Sequence, residues 1–279
     1  MRKFVLGILL LTCTSLNAQV FNFGHQDLAY KNLLQNGICF LKTGDSIFDA
    51  SMLEALDKYW KISDYTFVEQ YKRAPKEMVA LFVTTKTKTK KHVMDRKNQQ
   101  ILVIQPPTLY KKDKTVPFDQ TLGYMYYNGF YELLEQDEEY LFNRYMIQAL
   151  NKGLTLIKEK KFHNKNQLIN ENIAEAIVSE HKGNLGNTLI LDREALVHFI
   201  DIDDVKKLNI THRLHAKEEF FNALKTSSRT HYLLYYSVNT KTELSLINIL
   251  TGEMIYTKHF EEGYTEIKAK EWKILAPYF

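Results

Sequence analysis

The sequence predicts an α+β protein made of two related small α/β modules separated by a helical insert. Each module is expected to run strand-helix-strand-helix and then to close in antiparallel strands. Three observations predict this. Sliding the chain by 153 positions lays Met78 to Val103 on His231 to Tyr256 without a gap. Four of the 26 pairs are identical, Leu81 with Leu234 and Thr87-Lys88-Thr89 with Thr240-Lys241-Thr242, so pattern recurs more than letters. Between these runs the apolar period lengthens to that of a long helix, with Phe142, Met146, Ala149, Gly153 and Leu156 on one stripe.

Residues 1–18 read as a signal peptide: Arg2-Lys3, the apolar run Phe4 to Leu11, then Ala18 at a cleavage point. Leu10-Leu11-Thr12-Cys13 is a loose lipobox, though Thr12 is a poor residue before a lipidated cysteine, so cleavage after Ala18 and lipidation of Cys13 stand as alternatives. The apolar run is far short of the ~20 residues of a spanning helix, and no later stretch is apolar for that long. The mature chain is expected to carry no transmembrane helix and to be exported, either periplasmic or extracellular.

The first module is expected over residues 19–107. Gln19 to Leu34 shows no clear period and reads as a loop or frayed turn. Gly37 to Leu41 reads as a buried strand ending in the turn Lys42-Thr43-Gly44-Asp45. Ser51-Met52-Leu53-Glu54 has the form of a capping box, followed by Met52, Ala55, Leu56 and Tyr59 on one helical face. Tyr65 to Val68 is a short strand. Met78 to Val83 is apolar throughout, as a strand covered on both sides should be. Val93-Met94 and Ile101 to Ile104 return as strands, with Asp95 to Gln100 as a polar turn.

Residues 108–182 are expected to be a linker, Thr108 to Gln120, and then a helical insert from Thr121 to His181. Its helices run from Asp137 to about Lys160 and around Leu168 to Ile177. The second module, residues 183–279, should hold strands at Thr188 to Leu191, Thr211 to Leu214, His231 to Val238, Leu244 to Leu250 and Met254 to Lys258. A short helix starts near Asp201, and another over Lys217 to Lys225 buries Phe220, Phe221 and Leu224. Gly252 marks a turn that wants positive φ. Trp272 to Phe279 is too apolar to float free and should dock on a module.

Composition narrows the function classes. Without Arg2 and Lys3 the chain carries 35 basic residues against 33 acidic ones, too near neutral for a dedicated nucleic-acid binder. After cleavage Cys39 is the one cysteine left, so no internal disulfide is expected, and its apolar setting predicts a buried structural thiol.

Several clusters offer chemistry, each with a plainer explanation beside it. Lys86, Lys88 and Lys90 share one face of a strand and are ligand-binding candidates for an anionic glycan, lipid head group or acidic partner; lysines also guard exposed strand edges. Tyr124, Tyr127 and Tyr131 are candidates for stacking on sugars, in a run with Tyr126 and Phe130 that equally suits packing. His198-Phe199-Ile200-Asp201-Ile202-Asp203-Asp204 lacks the further oxygen ligands and the glycine of a hard-cation loop, and a helix N-cap explains its aspartates more simply. His212 and His215 point to opposite faces of a strand. Glu132 to Glu139 reads as a solvated helix start. Asn209-Ile210-Thr211 is a glycosylation sequon by letter.

No metal and no cofactor is expected. The sequence has no G-x-S-x-G, P-loop, G-x-G-x-x-G, H-E-x-x-H or C-x-x-C motif. The expectation is an exported non-enzymatic binding or assembly module of the cell envelope, whose partner is an envelope protein or polysaccharide. The alternative is a hydrolase of an envelope glycan or peptide with a site between the modules.

Overall fold

A computed structural model describes residues 21–23, 27–84, 86–88, 93–95, 101–105, 116–117, 121–126, 136–160, 167–181, 188–193, 199–216, 219–220, 222–223, 231–238, 242–260, 264 and 266–279. Helices and strands mix along the chain, so the fold is α+β.

A strand, β1 (Phe21–Phe23), and a helix, α1 (Asp27–Asn36), stand in place of the expected loop. Ala29 and Leu33 lie four apart and are buried, with Tyr30 partly buried beside them, so a short amphipathic stripe is present after all. Gly37 ends α1: at φ +82° its N–H bonds back to the Leu33 carbonyl, and a Cβ would lie 2.2 Å from the Asp64 oxygen.

Next come β2 (Ile38–Leu41), α2 (Ser46–Tyr59) and β3 (Tyr65–Val68). The helix starts before the expected capping box, because Asp45 caps it by accepting from the Ile47 and Phe48 N–H groups. Ser51 is instead buried within α2, where its hydroxyl donates to the Phe48 carbonyl and accepts from Asn143 Nδ2. Met52, Ala55 and Leu56 are buried as their spacing predicts, and Trp60 closes the helix.

Two short pairs continue the first half: β4 (Val79–Thr84) with β7 (Ile101–Gln105), and β5 (Lys86–Lys88) with β6 (Val93–Asp95), both antiparallel. Lys88 pairs with Val93 across β5 and β6, and the expected turn Asp95 to Gln100 lies, beyond Asp95, outside the described residues. Then follow β8 (Val116–Pro117) and β9 (Gly123–Tyr126). The expected helical insert therefore opens with a strand. Its helices are α3 (Gln136–Lys160) and α4 (Gln167–His181). All five residues of the expected α3 stripe are buried, Gly153 included.

The last third contains β10 (Thr188–Asp192), α5 (Ile202–Lys207), β11 (His212–His215), β12 (His231–Val238), β13 (Thr242–Asn248), β14 (Met254–Phe260) and α6 (Ala269–Leu275). Of the two aspartates expected to cap this helix, Asp201 or Asp203, it is Asp201 that caps α5, accepting from the Asp203 N–H. Trp272, Leu275 and Tyr278 of the C-terminal segment are buried against the strands of this region.

The larger sheet has the order β1-β9-β7-β4-β2-β3 and the second β11-β10-β12-β13-β14; a small third sheet holds β6-β5-β8. Read from β3, the large sheet pairs parallel, parallel, antiparallel, antiparallel. From β11, the second sheet pairs in the same sequence of senses. The registers correspond as well. Ile38 pairs with Tyr65 and Val79, as Leu189 pairs with His212 and Tyr232. Equivalent backbone bonds run from Ile38 N–H to the Asp64 carbonyl and from Leu189 N–H to the Thr211 carbonyl.

Val79 and Tyr232 are separated by the same offset as the sequence repeat. Beyond them the ungapped correspondence fails. It lays Ile101 to Val103 on Met254 to Tyr256 in β14, whereas β13 is the strand paired to β12 as β7 is paired to β4. Along the chain β5 and β6 lie between β4 and β7, whereas no described strand lies between β12 and β13.

The main core lies where helices meet both sheets. It gathers Ile38, Phe40, Val79, Leu81, Leu102 and Ile104 with residues of α1, α2, α3 and α4, and reaches Ile190, Ile247, Ile249 and Met254. A polar stripe on α3 pins flanking loops. Arg144 donates from Nη2 to the Ile249 carbonyl at 2.5 Å and from Nη1 to the Leu250 carbonyl at 3.2 Å, and Gln148 donates to the Thr251 carbonyl. One turn on, Asn151 Oδ1 accepts from the N–H groups of Lys61 and Ile62. No helix among the described residues is long and apolar enough to cross a membrane.

Candidate functional site

Sheets with a parallel core offer ligands a place beyond the carboxyl ends of the parallel strands, where loops and helix starts converge. Here there are two such ends: β2 and β3 in the large sheet, and β10 and β11 in the second.

At the first end, Leu41 and Val68 finish the strands as register partners. The loop after β2 folds onto Asp49, which is 7 % exposed. Its Oδ1 accepts from the Thr43 N–H at 2.8 Å and the Thr43 hydroxyl at 2.9 Å, and its Oδ2 from the Gly44 N–H at 3.0 Å. With Asp45 capping α2, the Asp45 N–H on the Thr43 hydroxyl and the Lys42 N–H on the Val68 carbonyl, the loop's donors are met within the protein. This end is built to hold its loop.

The second end differs in chemistry. The places of Leu41 and Val68 are taken by Asp192 and His215, again register partners on neighbouring parallel strands. Residues opposite one another in a parallel pair point to the same face, so the two side chains share a side of the sheet. Asp192 is 2 % exposed and has a polar partner. His215 Nδ1 lies 3.9 Å from the Glu219 carboxylate, and its Nε2 is shielded from solvent with no hydrogen-bond partner among the described residues. The pair and Glu219 suit binding of a donor-bearing group or proton transfer. Sequence reading weighed His215 beside His212 and His198 and missed Asp192, because its significance comes from strand register and no local motif marks it.

His212 points away from His215, as the strand alternation requires, and its Nδ1 sits 2.8 Å from the Ile210 carbonyl. His198 lies outside the described residues. Among the described residues no group of three or more His, Cys, Asp or Glu side chains is placed to hold a metal ion.

A second polar cluster sits where α6 meets β14. Glu271 is 1 % exposed; its Oε2 accepts from the Tyr264 hydroxyl at 2.6 Å, and its Oε1 lies 3.6 Å from Lys270 Nζ and 3.9 Å from Lys258 Nζ. Burial first, and then the bond to Glu271, push the Tyr264 hydroxyl well above the usual tyrosine range. Burial does the same to Tyr256, helped by Tyr278 and Glu271. This cluster anchors the C-terminal segment.

The sequence candidates are scattered. Tyr124 is 3 % exposed, in a small apolar cluster with Cys39, Leu41, Ala80 and Phe82, so its ring already packs within the protein. Lys86 and Lys88 lie on β5, with Asp95 as register partner of Lys86. Lys90, Tyr127 and Tyr131 lie outside the described residues, so no common surface with Tyr124 is described. Cys39 is fully buried, and burial pushes its thiol up to about 11. Asp203 and Asp204 pair with Lys206 and Lys207 at 3.0 Å each, on the exposed face of α5.

No family model, no curated protein and no solved structure matches this chain.

Proposed function

We propose that this chain is an exported, non-enzymatic binding or assembly protein of the cell envelope, built from two related modules on either side of the α3–α4 helices. The observation that carries the reading is the shared strand order, pairing sense and register of the two sheets. If one plan was used twice, what both copies kept is the sheet. The polar pair at the carboxyl ends is confined to the second copy, since Leu41 and Val68 stand at those places in the first. A scaffold that presents sheet edges and loops to a partner accounts for that division. Export rests on the signal-peptide pattern of residues 1–18. The partner is an envelope protein or polysaccharide, with the row Lys86, Lys88 and Lys90 and the aromatics Tyr127 and Tyr131 as its candidate contacts; Tyr124 is buried and drops out.

One observation favours a second reading, hydrolysis of an envelope glycan or peptide: His215 stands beside Glu219 and on the strand next to Asp192. Crosslinking in intact cells, followed by recovery of the chain, separates the two. A discrete, saturable adduct with an envelope component supports assembly. Absence of any adduct, together with turnover of an envelope polymer that His215→Ala abolishes, overturns it.

A further inference from the structure

The two sheets end, at matching places, in a short parallel edge strand: β3 on one and β11 on the other. No strand among the described residues pairs with the outer side of either. Their registers against β2 and β10 make Tyr65 equivalent to His212, and therefore Phe67 equivalent to Leu214. Both are large apolar residues held in the open, Phe67 48 % and Leu214 38 % exposed. An edge strand normally carries charge or cover against pairing with another chain; here each presents an apolar side chain at its centre.

The flanks are opposite in character. Exposed Asp64 and Glu69 bracket β3, while β11 carries His212, exposed Arg213 and His215. Lys206 and Lys207, on the helix before β11, are each already matched by an aspartate of that helix, and Glu219 stands beside His215, so exposed Arg213 is the charge that β11 itself carries. Lys42, whose Nζ lies 4.6 Å over the Phe67 ring, steadies that ring from its own side.

We infer that β3 of one copy pairs with β11 of a second copy, joining their sheets edge to edge. An antiparallel register that sets Phe67 opposite Leu214 also sets Glu69 opposite His212, which a parallel register does not do. Main-chain bonds supply the contact, the apolar pair its centre, and the charges its choice of edge. Because each copy offers one edge of each kind, the contact is head to tail and continues into an open chain of copies. With four residues to an edge the contact is weak singly and depends on high local concentration. This inference rests on the assembly reading and names its partner.

The test is sedimentation equilibrium of the purified protein over a wide concentration range, with Phe67→Lys and Leu214→Lys as variants. Both positions are exposed; matching thermal melts check the fold, and Phe67→Ser with Leu214→Ser serves as a second pair. The wild-type mass should rise with concentration, and each variant alone should stay monomeric. An equimolar mixture of the two should form one-to-one dimers, because one variant keeps an intact β11 and the other an intact β3. A wild type that is monomeric at every concentration, or a mixture no heavier than its parts, overturns the inference. So does association lost in Phe67→Lys but kept in Leu214→Lys, which marks β3 pairing with itself. A monomeric wild type that still crosslinks to another envelope component would leave the assembly reading standing without this partner.

Discussion

Gly252 sits in the turn between β13 and β14 at φ +73°, directly beneath the α3 side chains that hold that turn. A Cβ there would stand 2.6 Å from Gln148 Nε2 and 2.8 Å from Arg144 Nε. Gly252→Ala therefore acts twice. Holding an alanine in the left-handed region costs about 1 kcal/mol. Displacing Arg144 and Gln148 from the carbonyls of Ile249, Leu250 and Thr251 costs about 2 kcal/mol more, taking partly exposed bonds at the low end of their range. The expected total is about 3 kcal/mol by urea denaturation. In an Arg144→Ala, Gln148→Ala background only the backbone part remains, so the same change should cost about 1 kcal/mol, a coupling of about 2. Equal costs in both backgrounds would refute the idea that α3 clamps this turn.

Other perturbations probe other parts of the fold. Asp49→Ala strips the loop after β2 of the acceptor for three donors, and should lower stability by about 2 kcal/mol in urea titrations, with Asp49→Asn recovering part of it. Trp272→Ala should cost about 3–5 kcal/mol as a fully buried indole is lost. Trp272→Phe should cost far less, because Nε1 meets no acceptor among the described residues. Tyr30, Tyr256 and Tyr264 all have folded-state values raised above the ordinary one by burial first. Their contribution is present in full below about pH 10 and is lost as pH climbs beyond it, since the unfolded chain then ionises more readily. Denaturation midpoints should fall between pH 9 and 11 (about one unit either side of that value), and less steeply in Tyr256→Phe.

Much of the element pattern was legible because burial follows period. The α3 stripe from Phe142 to Leu156, the capping role of Asp201, the turn glycine at Gly252 and the docked C-terminus all follow from local spacing or chemistry. The errors have physical causes too. Ser51-x-x-Glu54 matches a capping box by letter, but Asp45 stands earlier with its carboxylate aimed at free N–H groups, and the helix begins there. Residues 121–125 are all buried, yet Tyr124 and its neighbours read as a helix start, because a short strand deep in a sheet has no alternation to show. The sliding comparison found the β4–β12 correspondence but could not allow for β5 and β6 between β4 and β7, since an ungapped offset assumes connections of equal length. The candidate site was least legible. Asp192 and His215 come together only through the pairing of β10 with β11, a long-range relation that no spacing along the chain encodes.

The choice between a scaffold and a hydrolase is tested most directly by incubating the purified protein with isolated envelope and measuring, in the same tubes, co-sedimentation and the release of soluble sugar or peptide. The account predicts saturable co-sedimentation with no release above the protein-free control, unchanged by His215→Ala. Release that grows with time and disappears in His215→Ala would contradict it.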